Sequence, residues 1–235
     1  MVSPTAPLFV IQHTSGEFLG LMEDHLEGRG IRFVYARPFT DKGQLPATLD
    51  YAKGLFLLGG GPWGTGGGRA VPSLPEELEL TRRCLSLEKP VIGIGLGAQI
   101  LCLAAGGDRE TSGLEFSVET ASRVAAGALK GFLPERFPLV TYMRDRPIPP
   151  PDAQVLAEDE AGRPALFQVR GNCLGFVGHP GAKLGMAEDL IMEFDEIPED
   201  PGPALDALRA RQSEIEAALV PIMTGLVQVT GLMRG

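Results

Sequence analysis

Short apolar runs alternate with stretches whose apolar residues recur at helical spacing, and this alternation predicts the elements of the first half of the chain. Leu8-Phe9-Val10-Ile11 reads as a buried strand. Glu17 to Glu27 reads as a helix with Phe18, Leu19, Met22 and Leu26 on one face, stopped by Gly28 and Gly30. Arg32 to Ala36 predicts a second strand, and Gly54-Leu55-Phe56-Leu57-Leu58 a third, more apolar and therefore central. Ser73-Leu74-Pro75-Glu76 has the form of a capping box and opens a helix that runs to about Glu88. Val91-Ile92-Gly93-Ile94 predicts a fourth strand, and Gln99 to Ala105 a helix ended by Gly106-Gly107.

Strand and helix alternating at this spacing imply βαβ units: an α/β fold with a doubly wound, mostly parallel sheet and helices on both faces. After Asp108 the pattern changes to short strands at Phe116 to Val124, Leu139 to Tyr142, Val155 to Ala157, Ala165 to Val169 and Leu174 to Gly178, added to the sheet as meander or hairpin pieces. Arg146 to Pro151, with four prolines in six residues, reads as an extended surface loop. From Pro203 the helical pattern returns, with Leu205, Leu208, Ile215, Leu219, Ile222 and Leu226 on a stripe. The expected organisation is one domain over residues 1–202, with residues 203–235 an amphipathic helical extension packed on it or at a dimer interface.

Composition narrows the function classes. The chain has 235 residues, and 21 basic against 30 acidic residues leave a net charge of −9. That balance argues against nucleic acid or an anionic membrane surface as partner. Cys84, Cys102 and Cys173 form no CxxC pair, so neither a disulfide framework nor a metal site is expected. The opening MVSPTAPLFVIQ lacks the basic region of a secretory leader, and Leu219 to Met233 is too short and polar to span a bilayer. A cytoplasmic location is the expectation.

The 31 glycines cluster at places that matter. Gly59-Gly60-Gly61-Pro62 follows the central strand, where backbone N–H groups can approach a ligand; no lysine completes a P-loop, leaving a flexible turn or an oxyanion cradle. Gly93-Ile94-Gly95-Leu96-Gly97-Ala98-Gln99 leads from a strand into a helix. It satisfies the dinucleotide fingerprint formally through Gly93, Gly95 and Ala98, and equally the outline of a nucleophile elbow with Gly95 at the nucleophile's place. Gly178-His179-Pro180-Gly181 ends a later strand, with Pro180 holding His179 extended. His13 and His25 read as structural, His25 within a helix.

In this order, with the elbow about 35 residues after the first spot and the histidine about 85 beyond it, the three spots resemble the class I glutamine amidotransferases. The similarity is to the stand-alone branch near the GMP synthase glutaminase domain, and it extends over most of residues 8 to 182. It implies a flavodoxin-like fold in which an elbow cysteine attacks the glutamine carboxamide, activated by the histidine of an H-P-E motif. It further implies that Gly60, Gly61 and Leu96 supply the oxyanion N–H groups and that Gln99 helps hold the substrate. His179 stands in the family position, but Gly95 replaces the nucleophile and Gly181 the acid, and glycine supplies neither thiolate nor carboxylate. The resemblance thus implies a protein without glutaminase activity: a subunit, a scaffold or a small-molecule binder. Its partners would be a glutamine-like molecule, another protein or a second copy, and no cofactor is implied. Two alternatives stay open, a hydrolase of an amide or γ-glutamyl compound using His179 and water, and a Rossmann-type dinucleotide-binding protein.

Overall fold

The computed structural model describes residues 6–233. Met1 to Thr5, part of the segment read as lacking a leader, lie outside the described residues, as do Arg234 and Gly235 of the C-terminal extension. The first half builds β1 (Leu8–Ile11), α1 (Met22–Glu27), β2 (Phe33–Ala36), β3 (Gly54–Leu57), α2 (Leu74–Ser86), β4 (Val91–Ile94) and α3 (Leu96–Ala104). The second half adds β5 (Asp108–Glu110), β6 (Glu115–Arg123), β7 (Arg136–Met143), β8 (Arg146–Ile148), β9 (Gln154–Glu158), β10 (Pro164–Val169), β11 (Cys173–Phe176), α4 (Leu184–Glu193), α5 (Gly202–Ala210) and α6 (Gln212–Thr230).

Among the described residues, nine strands form one sheet in the order β2-β1-β3-β4-β11-β10-β9-β6-β7, and β5 pairs with β8 separately. The pairs from β2 through β11 are parallel, and those from β11 outward are antiparallel. Alternate residues of each central strand face opposite layers. Leu8, Val10, Phe56, Ile92, Ile94 and Phe176 pack against Met22 and Leu26 of α1 and Leu219, Ile222 and Leu226 of α6. Ile11, Leu55, Leu57 and Val91 pack against Cys84 of α2 and Ile100 and Leu101 of α3. The α/β fold with helices on both faces follows from this two-sided burial.

Several local expectations differ from what forms. The first helix starts at Met22 rather than Glu17, because Gly20 turns the chain at φ +61° and frees residues 17–19 to run across the ends of the strands. Ser73 makes no capping bond; its hydroxyl donates instead to the Glu77 carboxylate at 2.6 Å. Leu96, Gly97 and Ala98 already belong to α3. The proline-rich stretch is no surface loop at its start: Arg146–Ile148 is strand β8, and Arg146 is buried between the Glu115 and Asp159 carboxylates, at 2.9 and 3.4 Å. Strand pairing to a distant partner decided that segment, which composition could not reveal.

Candidate active site

Adjacent parallel strands bring the three glycine spots together at their carboxyl ends. β3 and β4 are neighbours, so Gly59–Pro62 stands beside Gly95; β4 and β11 are neighbours, so Gly95 stands beside the segment carrying His179. The Gly95 N–H donates to Phe176 O at 2.9 Å, and the Gly97 N–H to Leu58 O at 3.0 Å, tying the elbow to both flanking strands. Gly95 adopts φ +56°, ψ −115°, the sharp strand-to-helix turn of a nucleophile elbow. β7 lies at the far edge in pairing order, yet the sheet curls until the His179 N–H donates to Val140 O at 2.8 Å. A cavity of about 30 Å³ results, lined among others by Gly95, His179, Glu17, Tyr142, Val140 and Met186.

His179 is buried, and both ring nitrogens are engaged by backbone. Its Nε2–H donates to Phe18 O at 2.9 Å, and its Nδ1 accepts the Gly181 N–H at 3.1 Å. This is a neutral imidazole, and burial pushes its pKa down to about 4. The orienting acceptor is thus a carbonyl oxygen of the segment that Gly20 turned out of helix. The same segment closes on Gly181, whose oxygen accepts the Leu21 N–H at 2.9 Å.

The glycine turn after β3 is held from two sides. The Gly61 N–H donates to Glu17 Oε2 at 2.6 Å, so a buried carboxylate occupies the donor that the resemblance assigns to an oxyanion. Beneath the turn, His13 Nδ1–H donates to Gly59 O at 3.0 Å and Nε2–H to Glu77 Oε2 at 2.8 Å. Both ring nitrogens face acceptors, which the imidazolium form alone satisfies. Burial by itself would lower the His13 pKa; the Glu77 carboxylate, with the Gly59 carbonyl and Glu17 adding to it, turns the net shift upward. Gly60 lies against the Leu96 side chain, which leaves no space for a Cβ there. Gln99 is fully buried with both ends used, its Nε2 donating to Arg144 O at 2.6 Å and its Oε1 accepting from Thr65 Oγ1 at 3.0 Å.

The end of α4 and the residues just after it cover the turn. The Leu190 and Phe194 side chains lie over Gly61, and the Glu193 carboxylate accepts the Ser15 and Gly16 N–H groups, both at 3.0 Å. Glu196 pairs with Arg69 and Arg144, and Arg144 Nε donates to Pro62 O at 3.1 Å.

Gly95 and His179 therefore meet at one cavity, and Gly61 reaches it through the Glu17 carboxylate it holds. Gly60, Leu96 and Gln99 shape or brace the surrounding turns, and Gly181 clamps His179 through its backbone. Helical spacing puts Glu17 in a helix and the apolar pattern puts Tyr142 at a strand end, neither marked as a site residue, although Gly16 and Gly20 flanking Glu17 are a signal against a continuous helix. Among the described residues no His, Cys, Asp or Glu group is arranged to hold a metal ion.

Glu17 gives the pocket a pH signature. Burial raises its pKa from 4.5 to about 7, so the folded chain holds a proton there that the unfolded chain releases. Its contribution to stability falls as pH rises from about 4.5 to about 7, by roughly 3 kcal/mol. His179 runs the other way: stability is lost as pH falls from 6.5 through about 4, since the unfolded chain binds the proton first. The two offset each other where their windows overlap. Glu17→Gln is expected to remove the first alone, so its urea-unfolding free energy should gain on that of the wild type between pH 5 and pH 8. Parallel profiles would show that Glu17 ionises normally.

No protein-family model matches the chain. It is 33% identical over 162 residues to a glutamine-hydrolysing GMP synthase of Aeropyrum pernix, a match covering 66% of this chain and 30% of that protein. The chain therefore spans about a third of the length of the curated relative it matches. Among solved structures, a glutamine amidotransferase of Methylobacillus flagellatus superposes with TM-score 0.80 at 21% identity, covering 95% of this chain and 94% of that one. A glutamine amidotransferase of Thermotoga maritima superposes with TM-score 0.79 at 22% identity, covering 96% and 98%. A dinucleotide-binding fingerprint accounts only for Gly93, Gly95 and Ala98, whereas these superpositions run over nearly the whole length. The chain has the class I glutamine amidotransferase α/β fold.

Proposed function

We propose that this is a glutamine amidotransferase-like protein that does not hydrolyse glutamine and serves as a non-catalytic subunit, scaffold or small-molecule-binding protein. The observation that carries this reading is the elbow itself: Gly95 brings no nucleophile to the cavity, and no cysteine lines it. Cys84, Cys102 and Cys173 are buried elsewhere, and burial pushes their thiols up to about 12, 12 and 11, far from thiolate at neutral pH. The alternative, His179 activating a water, needs a ring nitrogen with a free lone pair, and both nitrogens are engaged. The relative from Aeropyrum pernix is a glutamine-hydrolysing synthase, and a protein partner for this chain, or a second copy of it, fits the subunit reading.

The direct test incubates purified protein with glutamine and measures glutamate and ammonia. Release no greater than from His179→Ala is expected; release well above that control would sink the reading. A hydrolase using His179 and water would show instead as turnover of a γ-glutamyl amide that His179→Ala abolishes.

A further inference from the structure

The cavity above Gly95 holds two polar groups that the proposed loss of glutaminase chemistry leaves without a task. One is the Glu17 carboxylate, which keeps a hydrogen bond to the Gly61 N–H on Oε2. The other is the Tyr142 hydroxyl, more than nine-tenths buried and with no hydrogen-bond partner. Both line the same cavity. A buried hydroxyl without a partner is destabilising, a penalty that a bound donor or acceptor would remove. The remaining walls are mostly aliphatic: Val140, Val177, Met186, Leu190 and Leu208.

Charge decides which kind of group fits. Glu17 and Glu196 both act on Tyr142 electrostatically, and Glu193 adds to the negative field at Glu17. His13 opposes that field from beneath the turn but is already paired with Glu77. Arg69 and Arg144 are spent on Glu196, and His179 is neutral. The inner end of the cavity therefore favours a cation that donates hydrogen bonds. Its volume of about 30 Å³ suits roughly two water-sized positions, enough for an ammonium nitrogen and its first carbon. Lys183, half-buried in the same wall with its ammonium over the Phe18 ring, opposes a second positive charge farther along.

We propose that the cavity binds the primary ammonium head of an unbranched alkyl monoamine, with Glu17 and Tyr142 accepting its hydrogen bonds and Val140, Met186 and Leu208 flanking its first carbon. This rests on the reading that Gly95 leaves the cavity free of covalent chemistry. The ammonium supplies the partner that the buried Tyr142 hydroxyl lacks and a counter-charge for Glu17, and Lys183 sets the preference for a single charge.

The test is titration calorimetry of the full chain with n-butylammonium chloride, with 1,4-diaminobutane and tetramethylammonium as comparison probes. Saturable binding of n-butylammonium is expected, tighter than the diamine by threefold or more, with no binding of tetramethylammonium, which has no N–H. Glu17→Gln, which keeps the shape and the acceptor for Gly61, should weaken n-butylammonium at least tenfold. Tyr142→Phe should weaken it severalfold. Wild-type affinity should rise as pH climbs through about 7, while affinity in Glu17→Gln stays flat. No binding by the wild type, or equal binding by a folded Glu17→Gln, overturns the proposal, as does tetramethylammonium binding as well as n-butylammonium. Glutamine turnover in the separate ammonia assay would overturn the functional reading and leave the binding result standing, so the two failures are distinguishable.

Discussion

Glu77→Ala is expected to lower the unfolding free energy by about 3–5 kcal/mol, among the largest effects of any single side-chain truncation in this protein. Glu77 and His13 are both fully buried in side chain, and the carboxylate is the acceptor for the His13 Nε2–H at 2.8 Å. Truncation strands a buried imidazolium, which must either remain charged without its counter-ion or give up a proton and lose one of its two donated bonds. It also deprives the Ser73 hydroxyl of its acceptor. A further consequence lies across the pocket: the other His13 nitrogen holds Gly59 O, and Gly59 precedes the N–H that binds Glu17. The effect should therefore be strongly non-additive. In a double-mutant cycle, His13→Ala with Glu77→Ala should cost clearly less than the two singles summed, because the second change removes a group the first has orphaned. Equilibrium urea unfolding measures all three. Additive losses would mean that the pair does not act as a unit.

The central architecture was legible because its signals are local. Four apolar runs separated by helical periodicity, with glycines at the strand ends, are enough to specify parallel βαβ units and the place where their carboxyl ends meet. The site was legible only in outline. Gly95 and His179 announce themselves through motif spacing, and adjacency of β4 and β11 brings them together. Glu17 did not announce itself, since Phe18, Leu19, Met22 and Leu26 have helical spacing whether or not the chain is helical throughout. Gly20 breaks the helix, and the payoff of the break is long-range: Phe18 O meets His179 and the Leu21 N–H meets Gly181 O. Gln99 shows the same limit from the other side. The resemblance suggests a substrate contact for it, while its actual partners, Thr65 and Arg144, lie on two loops whose approach no pattern within either loop encodes.

Placing cysteine at position 95 and glutamate at position 181 is expected to destabilise the protein without creating a glutaminase. At Gly95 there is room: an added Cβ would meet nothing nearer than Gly59 Cα at 3.5 Å, so Gly95→Cys should fold. Its backbone at φ +56° is one that side-chain-bearing residues occupy under strain, about 1–3 kcal/mol. At Gly181 the fit is tight. An added Cβ would lie 3.0 Å from Met22 Cγ, 3.1 Å from Met22 N and 3.3 Å from Leu21 N, and a carboxylate beyond it would enter the packed start of α1. Overpacking of that kind costs about 1–3 kcal/mol, and burying the new charge adds to it. Gly181→Glu should therefore lower the melting temperature markedly, and more than Gly95→Cys does. The double variant should still release ammonia from glutamine no faster than His179→Ala. A new thiol at position 95 would find an imidazole whose Nδ1 already accepts the Gly181 N–H and whose Nε2–H is given to Phe18 O, with its pKa near 4. Any negative charge developing beside Gly61 would meet an N–H already held by Glu17 at 2.6 Å. Turnover by the double variant above the His179→Ala control would refute this account, because it would mean that the segment from Glu17 to Met22 withdraws readily once the chemistry is supplied.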